Sequence, residues 1–307
     1  MKRAVSISIG SSKRNKSTQI DLLGETVLIE RIGTDGDMQK AAALFAELDG
    51  KVDAFGVGGT DLGFCIDGKF KTLNSIQFMV KSVKNTPLVD GNGLKELLES
   101  RAASVLSQKL DPAMKPEKVL LASAVDRWGL AESFRLSGYK CLYGDVMFAL
   151  GMPVPVYSER TLRLLASVLI PVVSNLPFNW IYPTGESQNT RTPKWEKYFQ
   201  WADVIAGDCH YLHRYMPDSL KGKIIVTNTT TQSDRDFFAG TGAYGLMTTT
   251  PVIDGRSFGT NMMEAALVAV TGWKNKIDYT QGSEYMVHLK KTIDTIQLDP
   301  QFQILNP

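Results

Sequence analysis

What this 307-residue chain lacks narrows its function first. Cysteine is scarce: Cys65, Cys141 and Cys209 are an odd number in separated contexts, which argues against a disulfide framework and for a reducing, cytoplasmic setting. An excess of one charge is missing, since 34 Lys+Arg stand against 32 Asp+Glu. A net charge of +2 leaves no electrostatic footprint for nucleic acid or an acidic membrane. The opening MKRAVSISIGSSKR has no apolar core of the kind a signal peptide needs. No apolar run reaches the ~20 residues of a membrane span. The longest, 162–178, is interrupted by Arg163, Pro171 and Asn175 and reads as a buried helix running into a strand. What remains is ordinary globular composition, 43% hydrophobic and 21% charged, of a length that suits two domains. Function must therefore be sought in a site.

Hydrophobic periodicity gives an α/β reading. A strand over 4–9 ends in Gly10-Ser11-Ser12-Lys13-Arg14, and a hairpin follows over 18–23 and 26–32. Apolar spacing predicts a helix over 37–48, a strand over 52–57 and a second hairpin around Asp67-Gly68. Helices over 75–84 and 94–107 flank a short strand over 87–89. The two prolines of 110–116 make the best linker. Beyond it come strands over 118–122, 140–143, 180–182, 203–206, 223–227 and 245–248, with helices over 126–136, 193–201, 260–271 and 283–296. Such alternation means two domains, each a mostly parallel sheet flanked by helices, the second Rossmann-like. The expected boundaries are 1–114 for a substrate domain, 115–272 for the Rossmann-like domain, and 273–307 for a helical tail packing across both.

Ligands in open α/β sheets bind beyond the carboxyl ends of the strands, and here those ends are small and polar. Ser11, Lys13 and Arg14 follow the first strand, Asp61 closes Gly58-Gly59-Thr60-Asp61, and Asp90-Gly91-Asn92-Gly93-Leu94-Lys95 follows another. In the second half, Tyr182, Gly207-Asp208-Cys209-His210, Asn228 and Thr249 hold equivalent positions. Together these loops suggest a cleft between the domains for a small anionic molecule.

The unit 118–145 runs strand, loop, helix, strand and ends in an acid, the order of a dinucleotide site. Aligning the third glycine of that fingerprint on Gly129 puts Ala124 first, Asp126 second and Asp145 at the ribose. Ser123 stands in the same loop. Asp126 conflicts with the pattern, because a carboxylate repels the phosphate that the second glycine admits, unless it is an N-cap facing elsewhere.

Gly255-Arg256-Ser257-Phe258-Gly259-Thr260-Asn261 is the sharpest local feature. Arg256 has the planar donor fork that suits carboxylate or phosphate, though it would equally pair with an acid between domains. Asn261 and Glu264, three apart, share a helix face. His210 and His213 invite a metal reading, but ligands are too few, so an N-cap at Asp208 with packed or exposed histidines is the simpler account and no metal is expected. His210 remains a candidate acid/base at a strand end.

Several segments resemble a bacterial family commonly labelled quinate 5-dehydrogenase. They are Ser8-Ile9-Gly10-Ser11-Ser12-Lys13-Arg14, Tyr182-Pro183-Thr184-Gly185-Glu186, Trp201-Ala202-Asp203-Val204-Ile205-Ala206-Gly207-Asp208, Arg214-Tyr215-Met216-Pro217, and Thr249-Thr250-Pro251 with 255–261. The resemblance spans nearly the whole chain. It implies a relation to shikimate/quinate dehydrogenases, with an N-terminal substrate domain, a C-terminal Rossmann domain, and NAD or NADP as cofactor. It also implies a Lys–Asp pair that takes a hydroxyl proton as hydride leaves, for which Lys95 with Asp61 or Asp90 is nearest.

The leading expectation is thus an NAD(P)-dependent oxidoreductase acting on a small hydroxylated carboxylic acid. Lys95, Asp61, Asp90 and His210 would be catalytic. Ser123, Asp126, Gly129, Asp145, Asn228 and Thr249 would hold the cofactor, and Ser11, Lys13, Arg14, Asn92, Tyr182, Arg256 and Asn261 the substrate. The alternative is a transferase or lyase for an anionic or nucleotide-like substrate without nicotinamide. A third reading is a non-catalytic ligand-binding protein. A homodimer is the expected assembly.

Overall fold

A computed structural model describes residues 1–175, 191–250, 252–253 and 256–307. In chain order the elements are β1 (Lys2–Ser8), β2 (Lys16–Leu22), β3 (Glu25–Gly33), α1 (Met38–Leu48), β4 (Ala54–Gly58), β5 (Gly63–Ile66), β6 (Lys69–Thr72), α2 (Gln77–Val80), β7 (Leu88–Val89) and α3 (Asn92–Glu99). There follow α4 (Ala102–Lys109), β8 (Lys118–Leu121), α5 (Trp128–Leu136), β9 (Lys140–Tyr143), α6 (Asp145–Leu150), α7 (Glu159–Val173), α8 (Glu196–Trp201), β10 (Val204–Ala206) and α9 (Cys209–Tyr215). The last are β11 (Ile224–Thr227), α10 (Gln232–Gly240), β12 (Gly245–Thr248), β13 (Val252–Ile253), β14 (Arg256–Ser257), α11 (Thr260–Thr271), α12 (Glu284–Thr295) and β15 (Gln301–Ile304). The strand expected over 180–182 lies outside the described residues, as does the end of the apolar run beyond α7.

Two compact α/β units emerge, each a mostly parallel sheet flanked by helices. Unit 1 comprises Met1–Lys95, Pro171–Thr184 and Val252–Leu298; unit 2 comprises Glu96–Ile170, Gly185–Pro251 and Asp299–Pro307. This differs from the expected boundaries 1–114, 115–272 and 273–307. Helix α11 belongs to the first unit because it packs on β1 and β4. The presumed tail is divided as well: α12 joins unit 1, while β15 pairs antiparallel with β12 in unit 2.

The unit 1 sheet has the order β2-β3-β1-β4-β7. β1 runs parallel to β3 and β4, β4 parallel to β7, and only the edge strand β2 is antiparallel. Strand β4 is buried along its whole length, as a strand covered on both faces should be. One face carries Val5, Ile7, Phe55 and Val57, which form a core with Phe45 of α1 and Met79 of α2. Phe45 and Phe55 meet edge to face at 5.2 Å. The opposite face presents Ser6 and Ser8 in register with Gly56 and Gly58, and these small residues admit α11. A Cβ on Gly56 would lie 2.7 Å from the Asn261 carbonyl oxygen, so glycine is what allows the helix so close. The Asp67-Gly68 turn joins β5 to β6 with φ of 52° and 68°, the left-handed pair that a tight hairpin requires.

Unit 2 has the order β15-β12-β11-β10-β8-β9, parallel except at β15. Its core gathers Leu120, Leu142, Phe199, Ile205, Ile225 and Leu246. Sequence periodicity misses α6 and α10. It also runs α3 and α4 together, although a break at 100–101 separates them.

Candidate functional site

Because β1, β3, β4 and β7 are parallel, their carboxyl ends share one edge of the unit 1 sheet. There the chain leaves β1 through Ile9 and Gly10 into the single 3-10 turn Ser12–Arg14, whose Lys13 amide donates to the Ser11 hydroxyl. Asp35, beyond β3, accepts from the Ser12 amide and so ties the loop to the neighbouring strand end. That donor holds the exposed Asp35 carboxyl below its ordinary pKa.

Two guanidinium groups meet over Gly10. The Nη2 atoms of Arg14 and Arg31 lie 2.9 and 3.0 Å from the point a Gly10 Cβ would occupy, so they are at most about 6 Å apart. Arg31 is half-buried at the end of β3; it donates to the Ser8 hydroxyl and to the Ser11 carbonyl, each at 2.9 Å. Burial, and after it the Arg14 charge, pushes Arg31 below the ordinary arginine value, while Asp35 offsets only part of this. Among the described residues no carboxylate lies within ion-pair distance of either guanidinium. Two like charges are thus held together over a bare backbone, an arrangement that an anion would relieve.

Neighbouring groups extend this edge. A Cβ on Gly58 would lie 3.1 Å from the Asn261 amide nitrogen, and one on Gly59 would lie 3.0 Å from the Gly10 amide nitrogen. The Asn261 amide oxygen accepts from Ser6 at 3.2 Å, which aims its NH2 toward the strand ends. Lys95 meets Asp61, one of the two acids considered as its partner, at 3.1 Å. Asp90 is not its partner. The Asp90 carboxylate accepts from the amides of Leu62 and Asn92 and from the Asn92 side chain. Asn92 also donates to the Gly63 carbonyl and is buried, so both residues hold the turn into α3 rather than a ligand. Lys13 is exposed on the loop beside Arg14. Arg256 is placed only by its backbone, paired with Ile253 in the β13–β14 ribbon, and Tyr182 lies outside the described residues.

The strand ends of unit 2 are occupied by their own side chains. Arg127 is buried and pairs with Glu99 and Asp208. Asp208 also accepts from the His210 amide and from Asn228, whose own oxygen accepts from the Cys209 amide. Burial raises the Asp208 carboxyl, but Arg127 and the charge and amide of His210 together outweigh it and hold the pKa below the ordinary value. Asn228 is therefore a structural link between β11 and α9, and the His210 side chain points outward from the first turn of α9. Thr249 is buried with its amide on the Thr227 carbonyl.

A dinucleotide does not fit the β8–α5 loop. Asp145, placed by sequence at the ribose, turns inward and accepts from the Val125 amide at 2.8 Å; its other oxygen is buried. Burial pushes its pKa up to about 6 in spite of the backbone donors, and the Asp126 charge adds to the rise. Gly129 packs against Glu96, where a Cβ would come within 2.9 Å, so its glycine serves helix contact. The loop offers a second carboxylate, Asp126, where pyrophosphate would need backbone donors. Ser123 is buried in the same turn, its hydroxyl without a partner among the described residues. No group of three or more His, Cys, Asp or Glu among the described residues has the arrangement of a metal site.

The chain belongs to the family described as domain of unknown function DUF8754, whose model matches residues 93–305. Residues 3–90 match a second model, domain of unknown function DUF8753. No curated protein matches. Similar solved structures include GanP, a glucose-galactose binding protein from Geobacillus stearothermophilus, at 10% identity over 99% of this chain and 97% of that one, with a TM-score of 0.38. Others are a sugar ABC transporter sugar-binding protein from Bacillus halodurans (10% identity, 89% and 88% covered, TM-score 0.37) and a Mycobacterium smegmatis protein in complex with beta-D-fucofuranose (11%, 96% and 98%, TM-score 0.36). These findings correct the resemblance to quinate 5-dehydrogenase and the oxidoreductase function drawn from it. Both families are described as domains of unknown function, neither as a dehydrogenase, and the loop expected to hold the cofactor is closed by its own carboxylate. Among the described residues, no helix is long and apolar enough to cross a membrane.

Proposed function

We propose that this protein is a non-catalytic receptor for a small anionic molecule, which unit 1 seats at the carboxyl ends of β1, β3 and β4. The observation that carries the reading is the pair Arg14 and Arg31, converging over Gly10 with no carboxylate in contact among the described residues. Each guanidinium would donate to one anion, of carboxylate or phosphate type, with the Asn261 amide beside it. The Lys95–Asp61 pair lies on the same strand-end edge and offers a cation and an acceptor for polar groups further along the ligand. Of the three readings open to the sequence, this is the binding-protein one; nothing in the site favours a transferase or lyase.

The test is calorimetric titration of the full chain with sulfate, inorganic phosphate and citrate at low salt. Arg31→Met should weaken the best of these by roughly tenfold to a hundredfold, as loss of a charge-assisted hydrogen bond implies. Arg14→Met should weaken it less, because Arg14 is more exposed. Equal binding by wild type and both variants would refute the assignment.

A further inference from the structure

We infer that Glu264 is a positioning residue that makes anion affinity at the unit 1 strand ends depend on a proton held in the core of that unit. The inference rests on the receptor reading above and goes beyond it to the regulation of the same site.

Glu264 lies on α11, three residues after Asn261 and on the same face of the helix. It is fully buried. One carboxylate oxygen accepts from the Tyr285 hydroxyl at 2.6 Å and the other from the Leu94 amide at 2.9 Å. Leu94 opens α3 and is followed by Lys95, which reaches Asp61 at the end of β4. A single carboxyl therefore joins the two helices that bring Asn261 and Lys95 to the ligand edge. The fit is tight: a Cβ on Gly93 would lie 3.0 Å from a Glu264 oxygen and 3.0 Å from the Tyr279 ring.

The charged and titratable groups around it are few. Asp90 faces it from the end of β7, Tyr279 from the loop before α12, and Tyr285 from α12 itself. Lys95 on α3 is engaged by Asp61. His288 stacks on Trp273, which packs on Tyr285; burial, and after it the Lys291 charge, lowers its pKa from the ordinary imidazole value. No cation among the described residues pairs with Glu264. Burial pushes this carboxyl up to about 7, against hydrogen bonds from Tyr285, the Leu94 amide and Tyr279, with Asp90 adding to the rise.

The ionised form thus places a second buried negative charge beside Asp90, behind the helix that presents Asn261 to the anion. The protonated form removes that charge and leaves both hydrogen bonds possible. An anion at the strand ends favours the protonated form, and by reciprocity the proton favours the anion. No bond is made or broken beyond uptake of one solvent proton by the carboxylate.

Sulfate is the probe, because it stays a dianion throughout the range. Its affinity for the full chain is measured from pH 5.5 to 8.5 at fixed ionic strength. Wild type should bind roughly fivefold or more weakly at the alkaline end, a typical coupling, with the change centred near pH 7. Glu264→Gln should keep the acid-side affinity at every pH. Tyr285→Phe, which removes a donor to the carboxylate, should move the midpoint to higher pH, and it carries the test if the Gln variant does not fold. Wild-type affinity that is flat with pH, or a slope that Glu264→Gln retains, overturns the coupling and leaves the receptor reading standing. Absence of sulfate binding at any pH overturns the receptor reading, and the coupling with it.

Discussion

The buried carboxyl of Glu264 makes a prediction that needs no ligand. In the unfolded chain this group titrates at the ordinary 4.5; in the folded one burial pushes it up to about 7. The folded state therefore binds the proton more tightly between those values. Its stabilising contribution is complete below about pH 4.5 and is lost as the pH rises through 7. An interval of about 2.5 pH units, at roughly 1.4 kcal/mol each, makes the ionisation cost on the order of 3 kcal/mol by pH 8. For a unit of this size each kcal/mol corresponds to about 2–4 °C, so the difference is roughly 6–12 °C in melting temperature. Glu264→Gln removes the titration while keeping the contacts, because the amide oxygen still accepts from Leu94 and the Tyr285 hydroxyl turns to accept from the amide nitrogen. The assay is thermal and urea denaturation of both chains from pH 5 to 8, followed by circular dichroism. The two should be close at pH 5, and the variant should be the more stable at pH 8. Other titrating groups cancel in the difference between the chains. Parallel pH profiles for wild type and variant would refute the buried-proton argument, whatever their absolute stabilities.

Two further perturbations separate structure from binding. Arg127→Met should destabilise unit 2 by about 3–5 kcal/mol, since it removes the buried cation that faces both Glu99 and Asp208; adding Glu99→Leu should recover part of that loss in a urea melt, and failure to recover any would show that the Arg127–Glu99 pair is not the cause. Gly10→Ala places a methyl group 2.9 and 3.0 Å from the two guanidinium nitrogens, which are the free ends of flexible side chains. It should leave stability within about 1 kcal/mol yet weaken sulfate binding, and an unchanged sulfate isotherm would mean that the anion does not sit between Arg14 and Arg31.

What the sequence revealed follows from the range of each physical signal. Strand and helix periodicity are local, and the Asp-Gly turn of the second hairpin and the helix over 260–271 were readable within a few residues. The polar strand ends carrying Ser11, Lys13 and Arg14 are visible as local composition, while the choice between Asp61 and Asp90 as the partner of Lys95 is not, and the fold makes it by turning Asp90 onto the Leu62 and Asn92 amides. Arg31 was missed because it stands inside a predicted hairpin strand, where an arginine reads as a solvent-facing edge residue. Only the parallel pairing of β3 with β1 brings it beside Ser8. A cation near the carboxyl end of an apolar strand was the available signal. Asn261 meets Ser6 across nearly the whole chain, and no local pattern could have moved α11 from the second unit into the first. Asp145 misled for the opposite reason: its spacing suits a ribose, but spacing does not say which way a side chain turns. The Val125 amide decides that, and once the carboxylate caps its own loop the order strand–loop–helix–strand loses its bearing on cofactor. Topology thus brings together what the chain keeps apart, setting Arg31 beside Ser8 and Asn261 beside Ser6, and no run of sequence displays either adjacency.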